Sequence, residues 1–288
     1  MERAPRALVR VIGVGQPLAG DDGVGPAVVA CLGARGLPED VETVAAADPS
    51  ELPDLLSGAA FAVIVDAVRS ASHRPGTVLS LTPREVAGGA VRPVSTHGVS
   101  VERALELAAL LLDGLPPVRI VGVAVDEVHP YRAGLSPPVA AAVAEAARLV
   151  REELERAMHE SSLARQILAR VLAEAEREGA ARVRAVRGWA AETERLSPEA
   201  LRFHFQAHAA GTPAEGAALD LEVRTVPAVC EHCGERFEPD AHYPTCPACG
   251  SPNVRLLGPT GLHVESVVVE GGKSQGAEEA PNTSRAGP

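Results

Sequence analysis

Ala7-Leu8-Val9-Arg10-Val11-Ile12 runs straight into Gly13-Val14-Gly15-Gln16-Pro17-Leu18-Ala19-Gly20-Asp21-Asp22-Gly23-Val24-Gly25. The first six residues are short and mostly apolar, the pattern of a strand buried in a parallel sheet. The glycine-rich stretch is a loop, and Pro26 to Gly33 reads as a helix with proline in its first turn. A glycine loop between strand and helix suggests phosphate binding. The dinucleotide fingerprint fails, however, because Leu18 stands where its third glycine belongs. No Lys-Ser/Thr follows, which excludes the P-loop as well. The neighbouring carboxylates of Asp21 and Asp22 would repel phosphate and suit a cation.

Outward from this stretch the chain alternates strands with helices. Val41–Ala46, Phe61–Val65, Thr77–Leu81 and Val118–Val125 read as strands. Glu51–Leu56 and Ser100–Leu112 read as helices, the latter with Ser100 as N-cap. Leu135-Ser136-Pro137-Pro138 opens a long further helix. The pattern predicts an α/β domain with a doubly wound, mostly parallel sheet over residues 1–157. Asp22 follows the first strand, Asp66 ends the third and His97 precedes a helix. In this topology all three can meet at one edge of the sheet, where two carboxylates and an imidazole would hold a divalent metal with open positions. Separately, they are a helix cap, a strand end and a loop residue. Cys31 lies within the first helix and reads as a small core residue.

Composition narrows the function classes. The chain has 288 residues, enough for two domains, and a formal net charge of −11. That acidity and an aromatic content of 2% argue against nucleic-acid binding. No apolar run approaches the length of a membrane span, and the start leads into a strand, so a cytoplasmic protein is expected. Four of the five cysteines cluster, which in such a compartment suggests metal before disulfides.

Three groups of residues in the first half carry a resemblance. The loop Gly13–Gly25, Val65-Asp66-Ala67 and Ser95-Thr96-His97-Gly98, with Gly134-Leu135-Ser136-Pro137, resemble the motifs of the hydrogenase maturation endopeptidases, the HycI/HybD family. The resemblance covers about residues 7 to 150. It implies cleavage of a C-terminal tail from the precursor of the nickel–iron hydrogenase large subunit after nickel insertion. It also implies that Asp22, Asp66 and His97 contact that nickel and carry the catalysis. Two positions depart from the family: Asp22 stands where Glu is frequent, and Gln16 replaces another residue of the loop pattern. The residues admit two chemistries, metal-assisted hydrolysis or general acid/base work by Asp22 and Asp66.

Ala157-Met158-His159-Glu160 reads as a seam, with Met158 as the start of a second protein left inside a fusion. Beyond it, residues 158–270 predict a small α+β domain. Leu163, Ile167, Leu168, Val171, Leu172 and Ala175 recur at helical spacing. Arg182–Trp189 reads as a strand, Ser197-Pro198-Glu199 starts a helix to about His208, and Leu219-Asp220-Leu221-Glu222-Val223 alternates as a half-buried strand. Leu262–Glu270 gives a closing strand. Cys230-Glu231-His232-Cys233 and Cys246-Pro247-Ala248-Cys249 are two knuckles of a four-cysteine zinc ribbon, a closed structural site. His204 and His208, four apart, fit either a metal pair or a chance pairing on an exposed or partly packed helix face. Gly271–Pro288 is polar and glycine-rich and reads as a disordered tail.

Met158-His159-Glu160-Ser161-Ser162-Leu163, Ser197–Phe203, the knuckles and the closing strand resemble the nickel-insertion protein family HypA over residues 158 to 270. The resemblance implies nickel binding at His159, with Glu160 contributing and backbone nitrogens nearby. It implies structural zinc at Cys230, Cys233, Cys246 and Cys249, and as partners a HypB-type GTPase and the hydrogenase large subunit. Together the halves suggest a bifunctional nickel and zinc protein. The alternative is a non-catalytic nickel metallochaperone and adaptor. Val139–Glu178 holds no Gly or Pro, and as one helix it would bond most amides after His159. A break near His159–Ser162, with Ser161 or Ser162 as N-cap, is therefore expected.

Overall fold

The computed structural model describes residues 8–38, 40–93, 99–112, 114–126, 131–192, 196–239 and 245–271. It divides into two compact units, residues 1–162 and 163–288. His97, His129, Glu127, His242 and the tail from residue 272 lie outside the described residues.

The first unit is built on one sheet of β1 (Leu8–Val14), β2 (Val41–Ala46), β3 (Ala59–Arg69), β4 (Val78–Leu81), β5 (Arg92–Pro93) and β6 (Val118–Ala124). The order is β2-β1-β3-β6-β4, with β5 pairing the end of β3. β2, β1, β3 and β6 are mutually parallel, whereas β4 and β5 run antiparallel to their neighbours. Helices α1 (Val24–Arg35), α2 (Leu52–Leu56), α3 (Pro83–Ala87) and α4 (Val101–Leu111) belong to this unit, and α5 (Pro137–Arg177) begins in it and continues past residue 162.

The central strands β3 and β6 bury both faces, which is why their sequences read as continuous apolar runs. Val11, Val63, Val65 and Val121 pack with Val24, Val28 and Leu32 of α1 and with Val150 and Leu154 of α5. Ile12, Ile64 and Ile120 face the other way, onto Leu52 and Leu56 of α2 and Ala104, Leu105 and Ala108 of α4. Ser100 caps α4, its hydroxyl accepting from the Arg103 amide at 3.3 Å. Reciprocal capping boxes close the starts of the Pro49–Glu51 turn and α3, through Asp48 with Glu51 and Thr82 with Glu85. The chain leaves β1 in one direction toward β2 and returns on the other side as β3. The crevice between the carboxyl ends of β1 and β3 is therefore the topological switch point, the ligand-binding position of open α/β sheets.

In the second unit, β7 (Arg182–Ala191), α6 (Pro198–Ala209) and β8 (Ala218–Arg224) form a parallel crossover, and β12 (Leu262–Glu270) joins β7 antiparallel. Ile167 and Val171 of α5, Leu201 and Phe205 of α6, and Leu219 and Leu221 of β8 share its core. Ser197 caps α6 by accepting from the Ala200 amide at 3.2 Å. A separate small sheet, β10-β9-β11, holds β9 (Ala228–Cys230), β10 (Arg236–Phe237) and β11 (Val254–Leu256).

The expected break near His159–Ser162 is absent. α5 runs unbroken for 41 residues through Met158, about 60 Å at the usual rise. The reason is periodicity: buried Val150, Leu154, Ala157, Glu160, Ala164, Ile167 and Val171 recur every three or four residues across the seam. Neither Ser161 nor Ser162 caps a new helix, because no helix begins there. No described helix is long and apolar enough to cross a membrane.

Candidate functional site

Asp22 lies in the 3-10 turn Gly20–Gly23 between β1 and α1, and it is buried. Its Oδ2 accepts a hydrogen bond from the Gln16 amide at 2.8 Å. Two glycines let this turn close on the sheet. Gly15 has φ of 125°, and a Cβ there would lie 1.9 Å from the Asp22 carbonyl oxygen. A Cβ on Gly25 would meet the carbonyl oxygens of Val14 at 2.3 Å and Val65 at 2.6 Å. Any side chain at either position would push Asp22 away from the carboxyl ends of β1 and β3.

Asp66 is on β3, three residues before its end, and is 1% exposed. Its neighbours on the strand alternate between the two cores, so Asp66 shares the face of Ile64 and Val68. Neither carboxyl oxygen has a hydrogen-bond partner. Burial raises its pKa well above the usual carboxylate range, and the charge of Asp22 raises it further. The Ala67 amide gives a small opposing pull, at a geometry short of a hydrogen bond. Asp22 and Asp66 thus come together at the switch point, as the strand order suggests. Two orphaned, buried acceptor oxygens are costly to bury, and a carboxyl in that position suits either a shared proton or a cation.

Asp21 does something else. Its Oδ1 accepts from the Ser136 amide at 2.6 Å and its Oδ2 from the Ser136 hydroxyl at 2.8 Å. The Gly20 amide donates to the Arg132 carbonyl at 2.7 Å beside it. Asp21 therefore ties the Asp22 turn to the segment opening α5, instead of serving with Asp22 as a pair of cation ligands. The proline-rich helix start was readable in the sequence, but nothing there marked Ser136 as the partner of a residue so distant.

In the second unit the four cysteines converge. Sγ of Cys230 lies 3.6 Å from that of Cys249, and Sγ of Cys233 lies 3.5 Å from that of Cys246. All four sulfurs lie within 4.8 Å of one another. Bonds of about 2.3 Å from zinc to sulfur give a tetrahedron with edges of about 3.8 Å, so the cluster fits zinc. The knuckles share one design: the amides of Gly234 and Gly250 donate to the carbonyls of Cys230 and Cys246. The Cys233 amide, with weaker help from the His232 amide and from neighbouring thiols, holds the Cys230 thiol down at about 6. The Glu235 amide draws Cys233 down, but proton sharing with Cys246 and Cys249 outweighs it, and the thiol is pushed up to about 12. One site thus already favours a thiolate, the form a metal requires.

His159 is exposed on α5, whereas Glu160 is buried. His204 is buried at 3% exposure, with no hydrogen-bond partner for Nε2, so its side of α6 is the packed one. Burial, then the charge of His208, lowers its pKa to about 4.

The model of the family "Hydrogenase/urease nickel incorporation, metallochaperone, hypA" matches residues 158–269. HypA of Prosthecochloris aestuarii is 37% identical over 113 residues, which cover 39% of this chain and 100% of that protein. The chain belongs to the HypA family. HypA of Chlorobium limicola is 39% identical over 115 residues, covering 40% of the chain and 99% of the relative. The HypA domain occupies only the second part. The hydrogenase maturation protease family, HycI, matches residues 28–153 of the same chain. That match includes the Asp66 and His97 positions and begins beyond Asp22. Among solved structures, HybD of E. coli is similar at 28% identity and a TM-score of 0.45, over 51% of this chain and 92% of its own.

Proposed function

We propose that this HypA-family chain is a bifunctional maturation factor of nickel–iron hydrogenase. Residues 158–270 deliver nickel, and residues 1–157 then remove the C-terminal tail of the large-subunit precursor by nickel-dependent endoproteolysis. The observation that carries the proteolytic half is the buried Asp66 carboxyl, orphaned beside Asp22 at the switch point. The HycI family match supports the substrate class.

The raised pKa of Asp66 supports an acid/base division between the two carboxyls. Asp22 takes a proton from the water that attacks the scissile carbonyl carbon. As the carbon–nitrogen bond breaks, Asp66 gives its proton to the leaving amine. The proton on Asp22 then returns to Asp66 and restores the pair. In the alternative, metal-assisted chemistry, Asp22, Asp66 and His97 instead grip the nickel of the substrate as ligands, with Asp66 ionised, and the metal presents or polarises the scissile peptide. Both Asp66 oxygens are shielded from solvent, so substrate reaches them only when the residues over them part.

For delivery, His159 offers its imidazole to nickel from the exposed side of α5. Glu160, buried in the helix stripe, supports that site from within. The zinc at Cys230, Cys233, Cys246 and Cys249 is structural, and a HypB-type GTPase is the partner that hands on nickel. Both activities belong in the cytoplasm, where the precursor is assembled. Incubating the intact chain with precursor, with and without nickel, and following tail release by mass spectrometry tests the reading. Release from the nickel-loaded precursor alone is expected. Binding of loaded precursor without release would leave a metallochaperone and adaptor.

A further inference from the structure

Two clefts flank the carboxyl ends of β3 and β6, of about 750 and 700 Å³. Both are lined by Arg69 and Asp126, which form the wall between them. The first is also lined by Asp21, Arg132 and Ser136, and so lies directly beside the Asp22 turn.

The arginines of this cleft differ from the ion-paired arginines elsewhere in the chain. Elsewhere Arg10 pairs with Glu42, Arg119 and Arg156 with Glu153, and Arg224 with Glu222 and Glu265. Among the described residues, no carboxylate pairs with Arg69 or Arg132. Arg69 is anchored through Nε alone, which donates to the Asp126 carbonyl at 2.9 Å. That bond fixes the base of the guanidinium and leaves its two terminal nitrogens to the clefts. Of the two acids lining the first cleft, Asp21 already spends both oxygens on Ser136, and Asp126 forms no ion pair with either arginine among the described residues. In a chain of net charge −11, two uncommitted guanidinium groups in one cleft select an anion. A planar guanidinium matches a carboxylate with two parallel hydrogen bonds.

We infer that Arg69 and Arg132 hold a carboxylate of the polypeptide substrate in the cleft beside Asp22, and so fix the stretch next to the scissile bond. This rests on the proteolytic reading above for the identity of the substrate. The carboxylate is either an Asp or Glu side chain of the tail or the terminal carboxylate of the precursor.

The test is fluorescence anisotropy with a labelled synthetic peptide of the hydrogenase large-subunit tail, on the full chain. Arg69→Gln, Arg132→Gln and the double variant are compared with Arg165→Gln, an exposed α5 residue that carries the same loss of charge. The double variant should bind the peptide at least about tenfold more weakly than Arg165→Gln, from the loss of charge-assisted hydrogen bonds. In cleavage of nickel-loaded precursor its KM should rise with kcat unchanged. Amidating the peptide terminus should reproduce the loss if the terminal carboxylate is held. Replacing its acidic side chains with amides should do so if a side chain is held. Equal binding by the double variant and Arg165→Gln, no binding by wild type, or no effect of either peptide change would overturn the assignment. Peptide binding that depends on both arginines, without any cleavage, would leave it standing and remove the proteolytic reading instead.

Discussion

Asp66 is buried without a hydrogen bond while the charge of Asp22 acts on it, so the fold raises the affinity of Asp66 for a proton. The folded chain then holds a proton that the unfolded chain releases above the ordinary carboxylate pKa of 3.8. By linkage, this contribution to stability is complete below that value and is lost as pH rises toward the raised folded pKa. Asp66→Asn should therefore melt above wild type at neutral pH in a chelator, and the gap should close toward pH 4. Equal melting temperatures across the range would remove the strained acid pair.

Asp21 and Ser136 make two hydrogen bonds to one carboxylate. Asp21→Ala should cost about 2 kcal/mol of stability, the usual range for a bond to a charged group. Denaturant melts read this directly. Asp21→Asn keeps one acceptor and should recover part of the loss.

His204 is neutral in the fold, at about 4 against 6.5 when unfolded, because burial and then His208 disfavour its charged form. Its contribution is intact above 6.5 and is lost as pH falls through that value toward 4. His204→Phe removes both the titration and the unpartnered Nε2. Its melting temperature should fall less than that of wild type between pH 7 and pH 4.5, and a parallel fall in both proteins would contradict this.

The four thiols are close enough for one tetrahedral ion. Cys233→Ser should lower bound zinc from about one per chain and loosen the β10-β9-β11 sheet, seen as faster amide exchange at Val229 and Arg255. Unchanged zinc content would contradict a closed four-sulfur site.

The continuous α5 fixes what His159 can offer. Its backbone amide lies within the helix, so the side chain is the one donor that His159 offers outward. Calorimetry in two buffers at pH 7.5 should count fewer protons released per nickel than ligation by deprotonated backbone amides requires. Release of about two or more would require amide ligands and a local opening of the helix.

The strand order, and with it the meeting of Asp22 and Asp66, was legible from apolar runs and from a glycine loop after the first strand. The knuckle spacing made the thiolate cluster equally plain. Two features were not legible. The Asp21–Ser136 pairing spans most of the first domain, and periodicity carries no information about such a partner. The burial of His204 depends on which side of α6 meets the core, and a His-x-x-x-His spacing fits either side. The unbroken α5 was open to a correct reading, because no Gly or Pro interrupts residues 139–178. Weight on backbone ligands at Met158 favoured a break there, but the stripe from Val150 to Val171 continues through it.

Tail release from nickel-loaded precursor by Asp66→Asn, measured beside wild type, tests the acid pair most directly. The amide cannot pass a proton to the leaving amine, so release should slow by at least about a hundredfold, the low end for general acid/base catalysis. Precursor binding should remain. Release at the wild-type rate would contradict a hydrolytic role for Asp66.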